Sequence, residues 1–239
     1  MLAVLKREIL SYFTTPLAYV FLGVFYGFSG LFLWLNCLSS GTSNMSGVFM
    51  MMFFVMMIII PIITMRTMSD ERRQKTDQLA LTSPVSLPGI VMGKFLAAFL
   101  IFLCGALILP VYAIILSAAV SAGGAVFGWA AFWGDFVGII LMGGVFTAVG
   151  VFISSLTENQ VIAAIGSIGA NILLFMFDVI SSYVPNETIK NILDSLSVFN
   201  RFNEFTTGIF SLKNVVFFVS FIALFVFFTV RVLQRRRYA

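Results

Sequence analysis

The sequence of 239 residues has no histidine, two cysteines and only 10% charged residues. Without histidine, the chain cannot assemble a His-dependent serine or cysteine nucleophile or a His-ligated zinc site. Cys37 and Cys104 lie near the end of one hydrophobic segment and inside another, so they should sit at different depths, and we predict no disulfide between them. These absences exclude several common classes of hydrolase and metalloprotein.

Two further catalytic motifs are missing. A nucleotide-binding P-loop needs Gly, four residues and then Gly-Lys-Ser or Gly-Lys-Thr, but the only Gly-Lys pair, Gly93 and Lys94, precedes Phe95. An intramembrane aspartyl protease needs Gly-x-Gly-Asp, and Phe132 stands where the first Gly before Asp135 would be. We therefore predict no catalytic residue, no bound metal and no cofactor in this chain.

What the sequence does have is hydrophobic residues, at 60% of the chain, with a mean hydropathy of +1.06; soluble domains carry about 25% charged residues. Charged or turn-forming clusters separate six hydrophobic segments, at residues 17–38, 48–65, 89–117, 131–154, 160–180 and 213–232. Lipid cannot satisfy open backbone groups, so each segment should be a helix. We predict an all-α integral membrane protein with six transmembrane helices, formed by residues 1–239 as a single domain.

Residues 1–16 precede the first of these segments. Apolar side chains recur at helical spacing on one side and polar side chains lie on another: Leu2, Leu5, Ile9 and Phe13 against Arg7, Ser11 and Thr14. This pattern predicts an amphipathic helix that lies in the inner membrane interface before Pro16 turns the chain into the first span.

Basic residues concentrate on one set of connecting segments, and Lys and Arg near span ends are retained on the cytoplasmic side. Eleven of the 14 fall at the N terminus, around the loop of residues 66–88 and at the C terminus: Lys6, Arg7, Arg66, Arg72, Arg73, Lys75, Lys94, Arg231, Arg235, Arg236 and Arg237. We therefore predict a multi-pass protein of the inner (plasma) membrane with both termini and this loop in the cytoplasm. Basic flanks suit an anionic inner leaflet, so the pI of 9.3 does not indicate nucleic acid.

The loop of residues 66–88 has the pattern of a short charged helix. Ser69 can cap it, acidic residues stand in its first turn, and a Thr-Ser-Pro sequence stops it, so the pattern predicts a helix over 70–81. Two interpretations remain open. The loop is either a solvated hairpin that orients the chain, or a docking helix for a cytoplasmic partner with Leu79 and Leu81 as apolar anchors.

On the other side of the membrane, residues 181–212 are too polar to span and too apolar for a plain linker. They predict an outer-face segment with one or two short interfacial helices. Asp135 and Asp178 fall near the predicted outer ends of their spans, where water should reach them. We therefore expect no proton relay at mid-membrane, where ionisable residues are functional by default.

Four patches of sequence, which occur along the whole chain in the order typical of the family, resemble the ABC type-2 transporter permeases. In the loop the matching residues are Glu71-Arg72-Arg73, Thr76, Asp77, Leu79-Ala80-Leu81 and Thr82-Ser83-Pro84, followed by Gly93-Lys94-Phe95. The other patches are residues 12–19, 150–160 and 202–213. The pattern is most similar to the permease branch associated with gliding-motility systems. Lys75 departs from it, because many relatives have Gly there.

The resemblance implies a role for each patch. Residues 70–81 would be the main coupling helix against an ATP-binding subunit, through Asp70, Glu71, Arg72, Arg73, Lys75, Thr76, Asp77, Leu79 and Leu81. A second cytoplasmic contact would be formed by Ser155, Thr157, Glu158, Asn159 and Gln160, and residues 1–16 would be a connecting helix that presents Lys6, Arg7 and Glu8. That separate subunit would bind ATP and Mg. Two nucleotide sites work together in the family, so a second permease copy or paralogue is an expected partner, and an accessory outer-face subunit is a further candidate.

We therefore expect the transmembrane subunit of an ABC exporter, which is not itself an enzyme. The alternative is a membrane anchoring or assembly protein, in which the same loop recruits a cytoplasmic partner without transport. An ATPase reading frame next to that of this chain would favour the transporter.

Overall fold

The computed structural model describes residues 1–75, 86–122, 126–184, 190, 193–194, 197–207 and 211–238, and helices dominate throughout. In chain order the helices are α1 (Leu2–Thr14), α2 (Leu17–Leu33) with a π-helical turn (Trp34–Leu38), α3 (Ser46–Thr64), α4 (Arg66–Arg73), α5 (Leu87–Ala106), α6 (Ile108–Ala122), α7 (Trp129–Leu156), α8 (Gln160–Tyr183), α9 (Val198–Thr206) and α10 (Leu212–Tyr238). No strand occurs among the described residues.

Among the described residues, six helical stretches are long and apolar enough to cross a membrane, which confirms the predicted number of spans. They are Leu17–Leu38, Ser46–Arg73, Leu87–Ser121, Trp129–Leu156, Gln160–Tyr183 and Leu212–Arg237. The third stretch, of 35 residues, is broken at Leu107 between α5 and α6. Pro110 explains the break, because it has no N–H to donate to the carbonyl of Ala106.

Helix α7 is the central helix of the bundle. In its most apolar stretch of 18 residues, 72% of the residues are buried, against 22% in the span that contains α2 and 17% in the span of α10. Glycines let its neighbours approach closely. A Cβ atom on Gly143 would lie 2.2 Å from the Phe102 ring of α5, and one on Gly150 would lie 2.1 Å from Thr64 Oγ1 of α3. The glycines of α7 therefore serve tight packing, whereas a Cβ on Gly169 of α8 would meet nothing within 4 Å.

Helix α1 packs on α5 and α2 at one end of the bundle. Leu5 and Ile9 are half-buried, and the hydroxyl of buried Tyr12 donates a hydrogen bond to the carbonyl of Ile63 at 3.1 Å. Leu2 and Phe13 remain exposed. The apolar side chains of the predicted helix are thus divided between two directions, one toward the protein and one away from it.

At the opposite end, α9 begins at Ser197, whose hydroxyl accepts a hydrogen bond from the backbone N–H of Asn200. It packs against α3, α7 and α8, with Phe202 and Phe205 completely buried. The aromatic side of this short helix of the outer-face segment therefore packs between the spans.

The same end holds Asp135, for which the expectation of water access is wrong. The residue is 1% exposed, and its Oδ2 accepts a hydrogen bond from the Ser46 hydroxyl at 2.8 Å. It lies in the second turn of α7, where α3 and α9 pack over it. Asp178, on α8, is half-buried and accepts a hydrogen bond from Ser197 at 3.4 Å.

Candidate functional site

The regions predicted to contact a cytoplasmic partner lie together at one end of the bundle. We call this the basic end: α1, α4, the start of α5, residues 155–160 and the last turns of α10. Hydrogen bonds join these segments, among them Gln160 to Asp70 at 2.8 Å and Arg236 to the carbonyl of Ser155. The structure therefore brings the described parts of the three predicted contact regions together on one surface.

Helix α4 continues α3 after a single non-helical residue, Met65. The prediction that Ser69 caps this helix is wrong, because Ser69 lies inside α4 and its hydroxyl donates to the carbonyl of Met65. The capping residue is Ser154 of α7. Its Oγ accepts from the backbone N–H groups of Met68 at 3.1 Å and Ser69 at 3.2 Å, and donates to the Met65 carbonyl at 2.9 Å. The N–H of Met68 is one of the backbone groups that the first turn of a helix leaves unpaired.

The prediction of one uninterrupted helix over 70–81 is also wrong, because α4 ends at Arg73. Lys75 has φ of 56°, the left-handed conformation that commonly ends a helix and that glycine adopts most easily. Glycine, which the resemblance noted above associates with this position, would adopt the same conformation without strain. Thr76, Asp77, Leu79 and Leu81 lie outside the described residues.

At the centre of the basic end lies Lys94, in the second turn of α5, with a side chain only 1% exposed. Its ammonium donates to the carbonyl of Thr67 at 2.6 Å and lies 3.0 Å from Glu71 Oε2 and 3.3 Å from Glu8 Oε1. The three N–H donors of a lysine thus have three acceptors. Pairing of this kind is what a buried charge requires.

Arg7 of α1 completes a network of alternating charge, with its Nη2 bound to Glu71 Oε1 and 2.7 Å from Glu8 Oε1. The hydrogen bond with Glu8 and the negative charge of Glu71 raise the pKa of Arg7. Unlike Lys94, Arg7 is largely open to solvent, with a side chain 59% exposed. The network therefore has a buried cation and an exposed one, which share two carboxylates.

Gly93 explains how α1 comes close enough to join this network. A Cβ atom at this position would lie 3.1 Å from Val4 Cγ1 and 3.4 Å from the backbone nitrogen of Leu5. The glycine thus lets α1 lie against α5. The next residue, Lys94, is therefore close enough to contact Glu8 of α1. From the sequence, Lys94 is assigned to the orientation of the chain and to the matched Gly93-Lys94-Phe95 patch, but to no structural role. Its place in a Gly-Lys pair at the start of a span was the available signal.

The second predicted contact region is bonded to α4. Arg72 donates to the carbonyl of Leu156 at 3.0 Å, and its Nε lies 2.8 Å from Glu158 Oε1. Asn159 caps α8 by accepting from the backbone N–H of Val161 at 2.9 Å. Ser155 is buried. Residues 156–160 are thereby fixed against the side of α4.

A family model for the ABC-2 family transporter proteins matches residues 6–237 of the chain. This chain belongs to the ABC-2 transporter family. Since ABC-2 membrane proteins serve as the membrane subunits of ABC transporters, the chain is a permease subunit, and the family favours this function over a membrane anchor. No curated protein matches the chain. The assignment to the gliding-motility branch stays a prediction.

The ABC-2 permease leaves part of the basic end open to solvent. Its exposed predicted contact residues are Lys6, Arg7, Arg73, Lys75, Glu158 and Asn159, and Gln74 is exposed beside them. Of the other described ones, Ser155 is buried, and six are half-buried: Glu8, Asp70, Glu71, Arg72, Thr157 and Gln160. The exposed set can meet a partner directly, whereas the half-buried set mainly holds the surface in shape.

Replacing Ser154 with alanine should lower the free energy of unfolding of the ABC-2 permease by about 1–2 kcal/mol, because two backbone N–H groups of α4 lose their acceptor. The measurement is thermal unfolding of the purified protein in detergent. Ser121→Ala is the matched control, because the Ser121 hydroxyl is exposed and bonds only within its own helix. Equal unfolding temperatures for the two variants would contradict the capping role of Ser154.

Proposed function

We propose that this chain is the permease subunit of an ABC exporter and that a separate ATP-binding subunit docks on its basic end. The observation that carries the proposal is the continuity of that surface. Exposed residues of α4 and of the 156–160 segment, such as Arg73 and Glu158, stand on one hydrogen-bonded platform, and α1 is tied to the same platform through Glu71.

In this proposal the basic end faces the cytoplasm of a cell with an anionic inner leaflet. The support is the positive-inside tendency of short connecting segments. Lys6, Arg73, Lys75 and the three arginines of the last turn of α10 share this end, so a single orientation satisfies all of them. ATP and Mg would then be bound by the partner on the cytoplasmic side.

A second permease copy or paralogue would complete the translocation unit. The helices at the periphery of the bundle expose apolar side chains, such as Val20 of α2, Ile165 of α8 and Val216 of α10. Lipid can cover part of this surface and a second permease another part. A pathway between two apolar faces would suit lipid-like or amphipathic cargo. Such cargo would enter the pathway from the bilayer, and entry from the bilayer is consistent with outward transport. An accessory outer-face subunit could dock at the opposite end.

Force from the partner would reach the spans through α4. This helix is separated from α3 by Met65 alone, and Ser154 holds the junction to the central helix α7. Displacement of α4 on ATP binding would therefore pull on α3 and α7 together. A switch of this kind is a rigid-body movement of one half against the other.

Charge reversal of Arg73 tests the docking surface. Arg73→Glu should weaken association with the ATP-binding subunit about tenfold, because the side chain is exposed and an interface of mixed charge tolerates reversal poorly. The measurement is recovery of an ABC-type ATP-binding subunit when the permease is purified from its native membrane.

The matched control is Lys213→Glu, a charge reversal of an exposed lysine at the opposite end of the bundle. It should leave co-purification unchanged. Equal recovery of the ATP-binding subunit with Arg73→Glu and with the unaltered permease would overturn the proposed contact, provided that both proteins insert into the membrane at equal levels.

A further inference from the structure

We propose that Lys94 is a positioning residue that locks α1 and α4 into one unit, so that both helices move together when the ATP-binding subunit acts. The inference rests on the proposed function for its role in transport. The lock itself is a property of the permease alone and can be tested separately.

The contacts of Lys94 reach both helices from a third. Its ammonium, carried by α5, lies 3.3 Å from Glu8 Oε1 of α1 and 3.0 Å from Glu71 Oε2 of α4, and donates to the carbonyl of Thr67 of α4 at 2.6 Å. The Lys94 side chain is only 1% exposed, so these protein acceptors supply most of what stabilises its charge. A buried charge of this kind keeps its partners together because separating them leaves it uncompensated.

The link between α1 and α4 through Arg7 is weaker, because it lies at the surface of the protein. Arg7 also bridges Glu8 and Glu71, but its side chain is 59% exposed, and exposed ion pairs contribute little and are screened by salt. A cavity of about 310 Å³, lined by Lys94, Glu8 and Glu71 as well as by Ser11 and Arg66, opens between the two helices at the network. The space between α1 and α4 is thus incompletely packed, and the buried lysine is what spans it.

Loss of Lys94 would leave two carboxylates that share one site. Glu8 and Glu71 are only 12% and 21% exposed, so their like charges would repel each other with little help from water. Arg7 would be the remaining cation between them. The two helices should then separate into independently moving elements, and α1 should no longer follow α4.

The test is the distance between spin labels on Ala3 of α1 and Gln74 at the end of α4, both exposed positions. The full-length permease would carry Cys37→Ala and Cys104→Ser to remove its own thiols and would be placed in lipid nanodiscs, alone and in complex with the ATP-binding subunit. With Lys94 present, we expect one narrow distance distribution that does not change when a non-hydrolysable ATP analogue is added.

With Lys94→Met, the distribution should broaden in the permease alone and should shift when the analogue is added to the complex. Lys213→Met, the same substitution of an exposed lysine at the opposite end, should behave as the unaltered protein. The triple variant Lys94→Met/Glu8→Gln/Glu71→Gln removes the repulsion between carboxylates and should fold, yet should still show the broad distribution. Glu8→Ala breaks the same link from the α1 side while Lys94 keeps Glu71 and Thr67.

A narrow, unchanged distribution in the triple variant or in Glu8→Ala would overturn the lock. Failure of the unaltered permease to bind the ATP-binding subunit would instead count against the proposed function. The distances in the permease alone would still decide the question of the lock, so the two failures are distinguishable.

Discussion

Replacing Gly150 with alanine is expected to lower the free energy of unfolding by about 3 kcal/mol, the upper part of the range for an overpacked core. The added Cβ would lie 2.1 Å from Thr64 Oγ1 and 2.8 Å from Thr64 Cβ. Thr64 is completely buried, and its hydroxyl is held by the carbonyls of Ile60 and Pro61. Its side chain therefore has no free space into which it can turn, and α7 must move away from α3.

Gly169→Ala is the matched control, because a Cβ at that position meets nothing within 4 Å. Alanine favours helix over glycine by roughly 1 kcal/mol, so this variant should be as stable as the original protein or slightly more stable. Both variants would be compared by thermal unfolding and by the monodisperse fraction in size-exclusion chromatography. Effects of equal size would contradict the close α7–α3 packing.

Lys94→Met is expected to destabilise the permease by about 3–5 kcal/mol, because breaking a buried ion pair leaves charge without compensation. Methionine is similar to lysine in length and fills the same space, so the loss should come from Glu8 and Glu71 and not from a cavity. The triple variant with Gln at both positions should recover most of that loss. Replacing a whole buried ionic group by neutral side chains is often close to neutral in stability.

The measurement is again thermal unfolding, with Lys213→Met as the control at the opposite end. A single variant as stable as the original would show that the ammonium contributes nothing net to the fold. A triple variant no more stable than the single one would show that repulsion between the carboxylates is not the cause of the loss. Either result would contradict the electrostatic account of the network.

The spans were predictable because hydropathy and charge act over short stretches of sequence. The hydrophobic segment at 131–154 becomes Trp129–Leu156, and that at 160–180 becomes Gln160–Tyr183. The basic residues that predicted one common side do lie at one end of the structure. These features depend on residues close in sequence, so no knowledge of tertiary packing is needed.

The details of the basic end were not predictable in the same way. A cap is predicted from the residues around a helix start, and Ser69 is one of these. Ser154 contacts α4 from the last turn of α7, which is distant in sequence, so the pattern could not indicate it. In the sequence, Lys94 is one of eleven basic residues predicted to lie on the same side of the membrane. Its acceptors lie on two other helices, so the sequence around it does not indicate that it is buried and paired. Asp135 was placed near water because its depth was judged from its own span, whereas α9 and Ser46 enclose it.

The contacts at the basic end would form a path from the proposed docking surface to the spans. Arg73 and Asn159 stand on the surface, Lys94 ties the helices beneath it, and Ser154 with Gly150 joins α4 and α3 to the central helix. Each step depends on close contact between helices. In the proposed function, the permease transmits displacement through these contacts.

The most direct test of this account is photo-crosslinking from single positions of the full-length permease in its native membrane. A photoreactive side chain at Gln74 or Asn159, both exposed at the basic end, should crosslink to an ABC-type ATP-binding subunit, identified by mass spectrometry. The same side chain at Leu212, 74% exposed at the opposite end, should not. Crosslinks from Leu212 with none from Gln74 or Asn159 would contradict docking at the basic end.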